Sequence, residues 1–538
     1  MKQSVKALLL TDIRAPFDVP EPEIIEIAKA KMKRACIPAA GLHFRLYKKS
    51  FDARRKSAIV QVCSVLAEFD APVFLDARTC ERAGAKPFCE QVPVITRGTQ
   101  KLEARPLVVG MGPAGLFAAL MLAEQGYAPI IIDRGDDVAA RVKKTEQFRN
   151  FGLLDTESNI QFGAGGAGTF SDGKLVTRVN DPLCNYVLSR LCEFGAPAEI
   201  QQKAKPHVGT DILQIVVENI LARIRALGGE VRYRTRLEDL CACGNHLRVR
   251  TTGGELEAGV LLLGIGHSAR DTFAMLMEKG IAMEPKPFSV GVRIEHLRRD
   301  IDEALYGAHA GHPALGPAEY ALSDTGGERG VYTFCMCPGG EVVAAASEEG
   351  GVVVNGMSYH ARNGVNSNAA VAVSVAPADV GGSIAQAIAF QRELERAAYR
   401  AGGGDYFAPV QTVRDFLNGT AGEAPSRILP TYGGGRVREA DLRRVLPNFV
   451  TRALEKGLAS FDRKITGFAA PDAVLTGAET RTSSPLRILR GEERTALQMP
   501  RLYPIGEGAG YAGGITSAAL DGLRSALAVI ARYAPPTG

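Results

Sequence analysis

The chain contains no tryptophan, and its ten cysteines are scattered through 538 residues. That scatter excludes a disulfide scaffold, so reduced thiols and a cytoplasmic location are the expectation. Long apolar runs are also missing. The first fourteen residues hold only the run Ala7–Leu10, broken at once by Asp12 and Arg14, too short for a secretory h-region. No uncharged stretch elsewhere reaches the ~18–20 residues a spanning helix needs, so no membrane span is expected. A dominant charge is lacking as well: the net value is +5, which argues neither for nor against a polyanionic partner.

What is present is ordinary globular composition, 46% apolar and 23% charged, over a length that accommodates two or three domains with a sizeable core. The charge is uneven. Residues 1–105 carry 19 Lys/Arg against 12 Asp/Glu, which leaves the rest of the chain near −2. Solvated surface charge explains such an excess, and so does a site for phosphate or an acidic partner.

Residues 1–103 read as a small α+β unit. A strand at Val5–Leu10 leads to a helix near Ile24–Ala35, strands at Leu42–Tyr47 and Ala58–Glu68, and a short strand at Val94–Thr96. That order suggests a ferredoxin-like arrangement, with Lys48–Lys56 as a basic turn. From Pro106 the texture changes to βαβ: strand Leu107–Val109, helix Pro113–Gln125 and strand Ala128–Ile132. A long helix over Asp211–Leu227 presents Ile212, Ile215, Val216, Ile220 and Ile224 on one face. The segments Glu230–Arg234, Asn245–Thr251 and Glu255–Leu263 then read as a small meander. Residues 285–470 are strand-rich at first and helical later, and a glycine-rich stretch over Ile505–Thr516 precedes a last helix.

The most informative motif is Gly110-Met111-Gly112-Pro113-Ala114-Gly115, which follows a strand and opens a helix. The first glycine makes the tight turn, the second admits a pyrophosphate to the backbone, and the third lets helix pack on strand. The free N–H groups of the helix start favour phosphate. The next strand ends at Asp133, 23 residues past Gly110, where an acid can accept from ribose hydroxyls. A dinucleotide is therefore expected. A second glycine loop, Gly163 to Ser171, includes Gly165, Gly166, Thr169 and Ser171, with little side-chain bulk and two hydroxyl donors. Gly264 and Gly266 end an apolar strand where the chain returns past the ligand, and His267 beside them is read as a residue that fixes this loop.

Asp133-Arg134-Gly135 resembles flavin-binding members of the dinucleotide-binding fold. Gly506-Glu507-Gly508, continuing to Gly513, Gly514 and Ile515, resembles their C-terminal motif. The chain as a whole resembles the bacterial FAD-dependent dehydrogenases of the glutathione-reductase-like superfamily. The likeness extends through Ser171-Asp172-Gly173-Lys174-Leu175, Lys205–Asp211, Gly266–Asp271, Phe334-Cys335-Met336-Cys337-Pro338, Asn355–Ser358 and Glu479–Pro485; Ala164 departs from it, standing where that pattern has Glu. The resemblance implies FAD as cofactor, with Glu507 on the ribityl chain and the following helix start directed at the flavin pyrimidine. It also implies a Rossmann-type FAD-binding domain in two pieces, 104–284 and 471–538, an inserted α+β domain over 285–470 and the N-terminal ferredoxin-like domain. The expected activity is that of an FAD-dependent oxidoreductase moving hydride between flavin N5 and a small organic substrate. Only one full fingerprint is present, so NAD(P)H is expected as a transient reductant at most.

Candidate catalytic residues are Cys335, Cys337, His207 and Arg481. The two cysteines are read either as structural or as a thiol pair near the flavin, a small strained ring arguing against a bond between them in an extended strand. His207 has a suitable ordinary pKa for a general acid. Arg481 is read either as a bidentate carboxylate or phosphate binder or as a structural partner of Glu479. A monooxygenase using transient NAD(P)H is the enzymatic alternative. A flavin-dependent RNA-modifying or redox-sensing protein is the other, although only Tyr47 and Phe51 accompany the basic turn, thin support for base stacking. No metal site is expected.

Overall fold

The computed structural model describes residues 2–38 and 41–536. In the N-terminal unit the strands Lys2–Pro16, Leu42–Asp52, Val60–Asp76 and Ala85–Pro87 form one antiparallel sheet in the order second, third, first, fourth. Its helix Glu21–Arg34 has acids in the first turn and bases in the last, which suits the helix dipole, and buries Ile24, Ala28 and Met32 at four-residue spacing against the sheet. Two expectations need correction. The last strand is Ala85–Pro87 and not Val94–Thr96, because Asp76 caps a short helix, Ala77–Arg82, through the Thr79 N–H at 2.8 Å. Lys48–Lys56 is not all turn either, since Lys48–Asp52 continues the second strand.

The second sheet is wholly parallel and joins distant pieces of sequence. Its order is Leu502–Pro504, Leu261–Leu263, Leu107–Val109, Ile130–Ile132 and Glu230–Arg232. The three central strands are buried on both faces and read LVV, III and LLL, the continuous apolar texture of a covered parallel sheet. Glu230–Arg232 and Leu261–Leu263 therefore belong here, and the meander consists of Leu237–Cys243, His246–Thr251 and Gly254–Ala258. Helices Pro113–Glu124 and Ile515–Arg532 pack so closely that a Cβ on Gly522 would lie 1.9 Å from the Ala114 carbonyl. Thr210–Ala226 is helical as expected, but Ile215 is 53% exposed, and Leu213, Val217 and Leu221 complete the buried face instead.

The third sheet has seven strands, in the order Ser323–Asp324, Val331–Cys337, Asn366–Val375, Phe288–Leu297, Val474–Glu479, Ala408–Thr412 and Val437–Glu439. All ten residues of Phe288–Leu297 are buried. Because Val474–Glu479 pairs with Phe288–Leu297, this unit runs past the expected boundary at 470. The N-terminal sheet leans on the rest of the chain through its edge strand: the Lys49 N–H donates to Gln202 O at 2.7 Å and the Ala204 N–H to Lys49 O at 2.9 Å.

Candidate functional site

At the end of the first parallel strand Gly110 turns with φ 99°, and a Cβ there would lie 2.2 Å from the Gly264 carbonyl. Gly115 packs its Cα against the same turn, where a Cβ would meet the Gly110 carbonyl at 1.9 Å. Gly112 differs from both. Its φ is −73°, and the first atom a Cβ would meet is the Gly166 Cα at 3.9 Å. Gly112 thus opens onto a cleft, while Gly110 and Gly115 hold the strands and helix together.

That cleft has about 1720 Å³ of empty space, its open mouth included. It brings together the three glycine segments, from Gly110 to Ala114, from Gly166 to Ser171 and from Gly506 to Ile515, with Gly264 and Gly266 between them. Three expected contact residues fall outside its wall: Gly115, Gly165 and Thr169. A Cβ on Gly165 would collide with the Thr169 hydroxyl at 1.9 Å, so this pair packs behind the loop. Nor does Ser171 offer a free donor, because its hydroxyl donates to the Gly168 carbonyl at 2.7 Å.

Asp133 lines the cleft and also builds it. Its two carboxylate oxygens accept the Met111 N–H at 2.8 Å and the Gly135 N–H at 2.9 Å, leaving lone pairs for a ligand. Arg134 beside it bonds Asp271 at 2.5 Å and lies 4.5 Å from the Phe162 ring centroid. The second glycine loop rests on a residue that has no sequence signature, Arg141. Wholly buried, its guanidinium donates to the carbonyls of Asn159 at 2.8 Å, Ile160 at 2.7 Å and Ala164 at 2.7 Å. Burial pushes its pKa down to about 9, which still leaves it charged at neutral pH.

At the C-terminal motif, Gly506 donates its N–H to Asp521 at 2.7 Å, and Asp521 is held by Arg490 at 2.6 Å. Gly513 and Gly514 precede the helix Ile515–Arg532, and a Cβ on either would meet no protein atom within 4 Å. The Glu507 side chain faces the cleft with no hydrogen-bond or ion-pair partner among the described residues. Burial pushes its carboxyl up to about 7 against the pull of Lys286. An unpaired acid, side-chain-free glycines and an N-terminal helix end in one cleft fit a flavin dinucleotide, whose ribityl hydroxyls donate and whose phosphates accept.

The cleft is also lined by Lys174, Val176, Phe334, Cys335, Asn355 and Arg481. Asp172, also in the cleft wall and with its side chain buried, binds Lys174, the Ser358 hydroxyl and Arg362, the last at 2.5 Å. Although burial raises it, Lys174 and Arg362 hold the Asp172 carboxyl down to about 2. Sequence reasoning gave neither residue a role, because the partner Arg362 lies 190 positions away.

Two candidate roles need correction. His207 lies beneath the cleft wall, its ring stacked on His360 at 5.3 Å and its Nδ1 without a partner. Burial, with Arg362 adding, drives its pKa to about 3, so it stays neutral and does not suit a general acid at neutral pH. Arg481 faces the cleft but is not paired with Glu479. Its guanidinium bonds Glu395 at 3.0 and 3.1 Å and Ser347 at 2.5 Å, while Glu479 pairs with the buried Arg293 at 2.8 Å. Glu395 also takes Arg270 at 2.8 Å. Although burial raises its carboxyl, the two arginines hold it down to about 2. His267 lines the cleft with its Nδ1 2.9 Å from the Ser268 hydroxyl, and burial, helped by Arg481, drives it down to about 3. Among the described residues no His/Cys/Asp/Glu cluster is arranged to hold a metal, and no helix is long and apolar enough to cross a membrane.

Residues 287–482 match the family described as FAD-dependent protein, C-terminal domain-like. That segment of the chain therefore carries a FAD-dependent-protein C-terminal domain. The chain belongs to the same family as a Clostridium beijerinckii protein (strain ATCC 51743 / NCIMB 8052) described as "Uncharacterized protein". The two are 46% identical over 495 residues, covering 91% of this chain and 93% of the relative. Among solved structures the chain is similar to CtdE in complex with FAD, at 12% identity over 79% of this chain and 84% of that one, with a TM-score of 0.31. Halogenase PltM gives 11% over 79% and 67% with a TM-score of 0.37. The amino acid oxidase NikD gives 12% over 80% and 94% with a TM-score of 0.31.

Proposed function

We propose that the cleft holds FAD and that the protein is an oxidoreductase moving hydride between the flavin and a small organic substrate. One observation carries the reading: three glycine segments far apart in sequence converge on a single cleft, which also receives the unpaired carboxylate of Glu507. A bound flavin would supply two-electron redox chemistry. The chain's own residues divide the remaining work. Gly112 and the start of the helix Pro113–Glu124 would receive the pyrophosphate, Asp133 the adenosine ribose, and Glu507 with the start of the helix Ile515–Arg532 the flavin end. Lys174, with Phe334 and Val176 at the rim, would meet the substrate. The parallel sheet, assembled from both pieces of the chain, supports the Rossmann-type reading. The strand order of the N-terminal sheet supports the ferredoxin-like one.

The test is an anaerobic titration of the purified protein with NADPH and NADH, following the visible flavin band. Rapid bleaching establishes nicotinamide as the reductant. Bleaching by dithionite alone makes the organic substrate the electron source. A colourless protein that takes up no added FAD contradicts the proposal.

A further inference from the structure

The strand Val331–Cys337 does not finish as a regular strand. Its pairing with Asn366–Val375 slips between Phe334 and Cys337, and Cys335 takes the left-handed φ of 44°, a conformation that non-glycine residues adopt rarely and only where surroundings enforce it. Three donors enforce it here. Arg293 Nη1 donates to the Cys335 carbonyl at 3.0 Å, the Cys337 thiol donates to that same carbonyl at 3.3 Å, and Lys174 Nζ donates to the Met336 carbonyl between them. The kink leaves Cys335 in the wall of the cleft beside Lys174 and sets Cys337, wholly buried, behind it.

We infer that Cys335 and Cys337 form a dithiol–disulfide pair that exchanges two electrons with the flavin, and that the substrate class is a disulfide entering at the apolar rim of Phe334 and Val176. This rests on the proposed function, whose substrate side it specifies. In a fully extended strand two residues i and i+2 stand about 7 Å apart at Cα, at the limit for bridging; here the Cys337 sulfur is folded back to 3.3 Å from the Cys335 carbonyl oxygen, onto the residue it would bond. The two thiols are also made unlike. Coupling to the neighbouring Cys337 thiol pulls the Cys335 thiol well below its ordinary value against burial, with Arg293 and Lys174 helping, and the same coupling and burial push Cys337 well up. Cys335 is then the attacking thiolate at neutral pH and Cys337 the resolving thiol. Cys335 and Glu507 line the same cleft.

The chemistry balances as follows. The Cys335 thiolate attacks one sulfur of a disulfide RS–SR, forming a mixed disulfide and releasing RS⁻. Cys337 loses its proton and displaces Cys335-bound RS⁻, closing the internal S–S bond. Two electrons from reduced flavin and one proton then return the pair to thiolate and thiol, the flavin having been reduced by a hydride donor of the nicotinamide class.

The experiment counts reducing equivalents. A second thiol pair, Cys241 and Cys243, has its sulfurs 3.8 Å apart on the strand Leu237–Cys243 outside the cleft, so both are first replaced by serine. The flavin-loaded protein is oxidised with diamide, desalted and titrated anaerobically with dithionite. Two two-electron equivalents per flavin, falling to one in Cys335→Ser with flavin content retained, is the expected result. Peptide mass spectrometry of the oxidised protein should show Cys335 joined to Cys337. One equivalent per flavin in the parent, or no such crosslink, overturns the inference while leaving the flavin assignment standing. A protein that binds no flavin overturns the flavin assignment itself and is told apart by its missing visible band.

Discussion

Asp133 holds the Met111 N–H at 2.8 Å, so the acid that ends one parallel strand closes the glycine turn that ends its neighbour. A ligand that bridges these strand ends therefore meets a wall already tied together. Asp133→Ala removes two buried charge-assisted hydrogen bonds, worth about 2–4 kcal/mol together. It should release FAD and lower the melting temperature of the apoprotein as well. Flavin content by absorbance and melting by calorimetry check both; a variant that keeps its full colour removes Asp133 from the cofactor site.

Arg141 carries the second glycine loop on one guanidinium. Arg141→Met should cost about 3–5 kcal/mol, because several buried carbonyls lose their donor at once. Lysine should rescue only part, since one ammonium cannot reach carbonyls spread from Asn159 to Ala164. Chemical denaturation of the apoproteins gives the order parent, lysine, methionine; equal stability for the three would contradict this support role.

Much of this was legible in the sequence, and the unread part has a common cause. Gly110–Gly115, Asp133 and Glu507 carry local spacing that is informative without a partner. The strands LVV, III and LLL could be recognised, but the pairing of Leu107 with Leu261 and of Leu261 with Leu502 could not. Glu230–Arg232 therefore reads as part of the meander in sequence although it edges the parallel sheet. Arg141, Asp172 and Glu395 act only through partners distant in the chain, and nothing near them in sequence marks those partners. Arg481 shows the limit most plainly. Its neighbour Glu479 is two residues away, which in a strand points both side chains the same way, yet Glu395 on the helix Ile384–Ala401 takes the guanidinium instead.

Glu395→Gln should be damaging for the same reason. It leaves Arg270 and Arg481 facing each other with the buried carboxylate gone, a loss of about 3–5 kcal/mol. The carboxyl's pKa is depressed in the folded state, so its stabilisation is complete above the unfolded value and fades as pH falls from the ordinary carboxylate range toward about 2. The parent should lose stability over that window more steeply than the variant; parallel acid-melting curves would contradict it.

Glu507 runs the other way. Its folded pKa is raised to about 7, so its contribution is present below the unfolded carboxylate value and is lost as pH rises through 7. Glu507→Gln should therefore stabilise the apoprotein more at pH 8 than at pH 5, by up to about 3 kcal/mol, while weakening FAD binding. A stability gain that does not change with pH would show that this carboxyl is ionised throughout.

The most direct measurement of the central claim uses Gly112. A Cβ there meets no protein atom closer than 3.9 Å in a backbone conformation any residue adopts and points into the cleft, so a side chain competes with whatever the cleft binds. Gly112→Val should fold with the melting temperature of the parent apoprotein and bind FAD at least about 100-fold more weakly, about 2.7 kcal/mol. FAD titration of the two apoproteins by flavin fluorescence decides it. Equal affinity would contradict the placement of FAD in this cleft.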